Sequence, residues 1–367
     1  MADAAGHATV PDKQRVLILQ GGGSLGAYEA GVFRALSEEL PKIDARRGEA
    51  GRPLFDIIAG TSIGAINAAL LVSHYKENAT WAGADKKLVD FWQAISSDIT
   101  EQVDFWIHWW GEEHKNDPNA ASPEAARRYY SAKYFLQNGT QAVFSQPEMV
   151  LDPKFYDNGS FPNSIWYRYD NSALRKRIQE FSSFPVATSL GDAQPRLLVV
   201  STNVRDGATV TFDSYSKESE FGRYHKDSGR YEKRTIKYPR GVELRHVMAS
   251  ASVPLFYQFE DIEGEKFCDG GVLSNTPLRE VLHAHRDYWY KEIGKNKAGS
   301  KVPDLEVYII GVWPAEADAR NGVPSDYDGM KERLYDINLS DKTEYDEKTA
   351  VIVSDYVDMI DRIKAIS

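Results

Sequence analysis

The spacing of apolar residues changes several times along the chain. Arg15-Val16-Leu17-Ile18-Leu19-Gln20 is a short, nearly continuous apolar run. That is the pattern of a parallel strand buried on both faces. A glycine cluster follows. Then Ala30, Phe33, Ala35 and Leu36 fall on one face of a predicted helix. Phe55-Asp56-Ile57-Ile58-Ala59 reads as a second strand. The Ala-, Leu- and Ile-rich run from Ile63 to Val72 reads as a second helix. Between the first helix and the second strand, Ser37 to Arg47 is charged, has no strand character, and is predicted to break at Pro41.

From about 77 to 190 the rhythm stops. A stretch this long is not a structureless loop, so a mainly helical insertion is expected. Strand character returns at 196–204. Thr209-Val210-Thr211-Phe212 and Arg234-Thr235-Ile236-Lys237-Tyr238 flank a polar stretch and predict a hairpin. A helix over 243–251, another over 277–292 and a strand at 305–310 complete the pattern. Residues 331–366 carry an amphipathic periodicity that includes Val353, Val357, Ile360 and Ile363. Alternating strands and helices predict an α/β fold. Residues 1–14 read as a flexible tail.

Composition narrows the function classes. A chain of 367 residues with 42% apolar content can bury one large α/β domain or two smaller ones. A formal charge of −10 gives no global sign of nucleic-acid binding. One cysteine, Cys268, rules out an internal disulfide. The first residues lack the basic and apolar regions of a signal peptide. No run approaches the length of a membrane span. A cytoplasmic protein, or one peripheral at a membrane surface, is expected.

Candidate chemistry begins at Gly60-Thr61-Ser62-Ile63-Gly64, between the second strand and second helix. G-x-S-x-G in that setting is the nucleophile-elbow pattern. The sharp turn needs flanking residues without side chains and places the serine oxygen at a helix N-terminus. A tight turn without chemistry is the plain alternative. Upstream, Gly21-Gly22-Gly23-Ser24-Leu25-Gly26 follows the first strand directly. Its bare amides suit an oxyanion hole. Gly21-x-Gly23-x-x-Gly26 also fits a dinucleotide fingerprint, but the acidic second strand which that requires is missing. Downstream, Asp269-Gly270-Gly271 offers a carboxylate in what is otherwise a turn sequence. Asp269 could take the serine proton directly if desolvation raised its basicity.

These three pieces, in this order, resemble the patatin-like phospholipase family. Leu197 to Gly207, Leu244 to Phe256, and Asn275 with Pro277 after the D-G-G extend the match. The resemblance implies a three-layer α/β/α domain with a mostly parallel sheet over about 15–315, followed by a helical extension at 316–367. It implies Ser62 as nucleophile and Asp269 as base, a dyad without histidine. Gly22 and Gly23 would supply the oxyanion amides, with Gly21 shaping the turn. Gly26, Gly60, Gly64, Gly270 and Gly271 would support the motifs. It implies a lipid ester substrate and no metal or other cofactor. Plant and animal members often carry Lys or Arg where this chain has Leu25, which leaves neutral lipids and other esters open beside phospholipids.

The remaining features stay open. Trp106, Trp109 and Trp110 share one helical face, with Phe91, Trp92 and Phe105 nearby. They fit a packed core helix, or a lid that contacts a membrane interface. An aromatic, Pro-rich run from Phe144 to Tyr169 could line an acyl groove or simply pack on a surface. Lys217 to Arg240 is basic and reads as a solvated hairpin. His283-x-His285 does not suit a metal, because helical positions two apart face different ways. Two other readings remain: an α/β-hydrolase triad using His283 or His285, and a catalytically silent nucleotide- or lipid-binding scaffold.

Overall fold

The computed structural model describes residues 11–96, 169–225, 229–293 and 302–313, with scattered positions between 105 and 167 and beyond 313. Two compact units are present. One comprises Met1–Val89, Ser182–Val253 and Phe259–Ser367; the other comprises Asp90–Phe181 and Pro254–Gln258.

The first unit is built on a seven-stranded sheet. Four parallel strands form its centre: β1 (Lys13–Leu19), β2 (Ile57–Thr61), β3 (Arg196–Asn203) and, last in the chain, β9 (Asp304–Ile310). Their order is β3-β2-β1-β9. All of β2 and β3 is buried, as expected for strands covered on both faces. Helices α1 (Gly26–Arg47) and α2 (Ile63–Asn78) follow β1 and β2. Helices α3 (Ala84–Ile95) and α4 (Ser172–Phe181) come next in the chain, with α3 from Asp90 on and all of α4 in the second unit, and α5 (Leu244–Ser250) and α6 (Leu278–Asp287) follow in the first.

Strand alternation makes the unit three-layered. Ile57 and Ala59 pack with Val16, Ile18, Leu198 and α6 residues Leu278 and Val281. Gly60 points to the opposite face, where a Cβ would lie 2.2 Å from the Gly64 carbonyl oxygen of α2.

The antiparallel strands set the geometry of the site. β4 (Ala208–Asp213) lies along β3 from Leu198 to Asn203. β2 pairs with β3 through Thr61–Val200, so it must use the other edge. β8 (Glu265–Asp269) pairs with Ser201 to Asn203, so it too lies opposite β4. β2 and β8 therefore share one edge of β3 end to end. Thr61 is registered on Val200 and Asp269 on the next residue, Ser201. β7 (Glu260–Ile262) pairs with β8 as a short hairpin.

Two local expectations are corrected. Helix α1 runs through Pro41 to Arg47 and stops at Gly48, which has φ +76°. Pro41 is on the solvent face, while Leu40 and Asp44 stay buried. Buried Arg15 of β1 clamps Asp44 with two hydrogen bonds of 3.0 and 2.6 Å, holding the last turns against the sheet. The expected hairpin is paired differently. Thr209–Phe212 belongs to β4 on β3. Arg230–Lys237 (β6) pairs instead with Glu218–His225 (β5), a strand inside the supposed polar stretch. Ser182 onward belongs to the first unit, where Val186 bridges to Val242.

Within the second unit, Phe91 stacks edge-on to Phe181 with ring centroids 5.6 Å apart. Phe144, Tyr169, Phe256 and Tyr257 form an aromatic cluster. Phe105 and Trp109 are exposed. Trp106, Trp110 and most of the Pro-rich run from Phe144 lie outside the described residues, as does most of 314–367. Among the described residues no helix is long and apolar enough to cross a membrane.

Candidate active site

Ser62 occupies the turn between β2 and α2 at φ 56°, ψ −124°, a conformation disfavoured for any residue with a Cβ. The glycines on either side make the turn possible. A Cβ on Gly60 would strike Gly64, and one on Gly64 would lie 2.3 Å from the Leu19 carbonyl oxygen. The strained turn is held from below. The Ser62 amide donates to Ser250 Oγ at 2.9 Å, and the Ser250 hydroxyl donates to the Val200 carbonyl at 2.5 Å. Backbone strain of this kind clusters at functional sites.

The abutting strand ends bring Asp269 to this turn. Ser62 Oγ donates to Asp269 Oδ2 at 2.6 Å. The other carboxylate oxygen, Oδ1, accepts the Gly271 amide at 2.7 Å. The Asp269 amide donates to the Ser252 carbonyl at 3.0 Å, fixing its backbone. Gly270 must be glycine because a Cβ would lie 2.3 Å from the Val200 carbonyl oxygen. Asp269 is only 5% exposed. Burial pushes its carboxyl up to about 6, against the opposing pull of the Ser62 and Gly271 hydrogen bonds.

The glycine loop lies beside the serine. A Cβ on Gly21 would come 3.1 Å from Ser62 Cβ. The Gly21 amide is already used, donating to the Asn275 carbonyl at 3.1 Å. Among the described residues, neither the Gly22 nor the Gly23 amide donates to a backbone acceptor. Gly23 has φ +57° in open space, a backbone state that favours glycine. Gly26 opens α1 and its carbonyl accepts from Asn67 of α2 at 3.0 Å.

The histidines have other partners. His285 is buried and its Nε2 lies 3.0 Å from the Pro303 carbonyl; burial pushes its imidazole down to about 4. His283 is exposed, with Nδ1 3.8 Å from Asp287. The strand that a dinucleotide fold would end in an acidic residue ends here in Thr61 and Ser62. Among the described residues, no group of three or more His, Cys, Asp or Glu side chains is gathered as a metal site requires.

Several site residues carry no sequence signal. Ser250 and Ser252 sit in a plain Ala-Ser-Ala-Ser run. Gln20 donates to Thr276 Oγ1 at 2.8 Å and accepts the amides of Val312 and Trp313. Thr61 Oγ1 donates to the Ser274 carbonyl at 3.0 Å. The Asn275 side chain and the Trp313 indole both donate to the Gly21 carbonyl. Of these, only Asn275 stands out in the sequence, as part of N-x-P.

The chain is 27% identical over 242 residues to a lysophospholipase, nte1, of Aspergillus terreus. That match takes in 51% of this chain but only 15% of the relative. A solved structure of the ExoU-SpcU complex from the type III secretion system of Pseudomonas aeruginosa aligns over 93% of this chain and 52% of that one, at 18% identity and a TM-score of 0.29. The family model for patatin-like phospholipases matches residues 17–282, which take in the end of β1, the glycine loop, Ser62 and Asp269. The chain therefore belongs to the patatin-like phospholipase family.

Proposed function

We propose that this protein is a serine lipid acyl hydrolase that cleaves carboxylic esters through a Ser62–Asp269 dyad. The observation that carries the reading is the direct 2.6 Å hydrogen bond from Ser62 Oγ to a buried Asp269. Family membership and the lysophospholipase relative support the substrate class.

The chemistry runs in two steps. Ser62 Oγ attacks the ester carbonyl carbon as its proton passes to Asp269. The carbonyl oxygen gains charge, and the Gly22 and Gly23 amides donate hydrogen bonds to it. When the C–O bond to the alcohol breaks, Asp269 returns the proton to the departing oxygen. The acyl group now rests on Ser62. Asp269 then takes a proton from water, the hydroxide adds to the acyl carbon, and collapse releases the fatty acid and restores the Ser62 proton. A carboxylate with its pKa near 6 is a better base for this task than an ordinary aspartate.

Hydrolysis of a panel of phospholipid, lysophospholipid, acylglycerol and short p-nitrophenyl esters tests the reading. The wild type is expected to turn over at least one class and Ser62→Ala none. Equal turnover by both proteins, or no turnover of any ester by the wild type, sinks it; the latter result is that of a silent scaffold.

A further inference from the structure

We propose that Trp313, together with Asn275, is a positioning residue that aims the Gly22 amide by clamping the Gly21 carbonyl. The inference rests on the oxyanion-loop reading of Gly22. The Gly21 carbonyl accepts two side-chain hydrogen bonds, from Trp313 Nε1 at 2.8 Å and Asn275 Nδ2 at 3.0 Å. The Gly21–Gly22 peptide is trans. In a planar trans peptide the C=O and the next N–H point in opposite directions. Pinning the Gly21 oxygen on one side therefore fixes the direction of the Gly22 N–H on the other.

The clamp itself is fixed. Trp313 closely follows the last parallel strand, and its amide donates to Gln20 Oε1 at 2.9 Å. The preceding amide, of Val312, donates to the same oxygen at 2.7 Å. Gln20 is fully buried and also donates to Thr276 Oγ1. Gly21 in turn donates to the Asn275 carbonyl. The glycine loop is thus tied on one side to the exit of β9 and on the other to the turn that follows Asp269. Gly22 has no room for a side chain on this side: a Cβ there would lie 2.5 Å from Val312 Cγ2 and 3.4 Å from the indole nitrogen. An oxyanion donor gains its catalytic effect from being held in place before charge appears, and this network does the holding.

The test removes the indole N–H and keeps the ring. Trp313→Phe, and a variant with benzothienylalanine at position 313 that keeps the bicyclic shape, are compared with wild type on a short soluble ester. Affinity for a trifluoromethyl ketone, whose tetrahedral adduct places an oxyanion in the hole, is measured alongside. Both variants are expected to lose roughly 3- to 10-fold in kcat, the scale of one hydrogen bond. KM should stay within about twofold, and ketone affinity should fall by the same factor as kcat/KM. The benzothienyl variant keeps the test valid if Trp313→Phe alone lowers the melting temperature. Unchanged kcat and ketone affinity in both variants overturn the clamp. So does a rise in KM at constant kcat, which would make Trp313 a substrate contact. Ser62→Ala separates the two levels: if it stays dead while position 313 has no effect, only the clamp fails. If Ser62→Ala hydrolyses the ester, the underlying reading fails.

Discussion

At the residue scale the site turns on one buried carboxyl. In the proposed role of base Asp269 acts only when ionised, and burial pushes its pKa up to about 6. Activity, as kcat/KM on a soluble ester, should therefore rise with pH through about 6 and level off above it. The same shift carries a stability cost of opposite sense. The folded pKa lies above the unfolded value of about 4, so between those values the native state holds the extra proton. Stability is full below that window and falls as pH rises through it. Asp269→Asn should thus be inactive yet melt higher than wild type at pH 8, with a smaller difference at pH 4. A lower melting temperature for Asp269→Asn at pH 8 would mean that the carboxylate is compensated by partners beyond Ser62 and Gly271.

At the scale of elements, the Ser62–Asp269 hydrogen bond exists because β2 and β8 end against each other on one edge of β3. Most strands and helices are legible in the spacing of apolar residues, from β1 through β9. The register is not. Nothing in the composition of Glu265–Asp269 says that it pairs with Ser201 to Asn203, and only that pairing brings Asp269 to Ser62. Strand β5 escapes the pattern because its buried face is only partly apolar: Phe221 points inward, but so does the polar Ser219. Pro41 reads as a break because the Arg15–Asp44 pair that holds the helix beyond it is a contact across 29 positions. Ser250 and Gln20 act through hydrogen bonds to backbone, which have no periodicity.

The glycines give a test at this scale. Gly64→Ala drives a Cβ onto the backbone carbonyl of Leu19, so urea unfolding should show a loss of at least about 1–3 kcal/mol. Gly31, inside α1, has nothing within 4 Å of the place a Cβ would take; Gly31→Ala should instead gain roughly 0.5–1 kcal/mol. Equal effects at the two sites would contradict the close approach of α2 to β1.

At the scale of the whole molecule, the three-layer unit holds all the candidate chemistry, and the second unit carries exposed aromatics. Phe105 is 67% exposed and Trp109 52%. We propose that this second unit touches the lipid interface, where aromatic side chains are favoured. Tryptophan emission should shift to the blue when anionic or zwitterionic vesicles are added. A Phe105→Ser, Trp109→Ser double variant should lose most vesicle hydrolysis while retaining short-ester hydrolysis. Proportional loss of both activities with a lowered melting temperature would assign these aromatics to packing.

Ser62 is the proposed nucleophile and Asp269 the group that activates it. A fluorophosphonate bonds covalently to an activated serine, and peptide mass spectrometry locates the adduct. The wild type should carry one adduct, on Ser62. Ser62→Ala should carry none, and Asp269→Asn should label at a rate lowered by about 10²-fold or more, the scale of general-base catalysis. An adduct on another residue, or Asp269→Asn labelling as fast as wild type, would contradict the dyad.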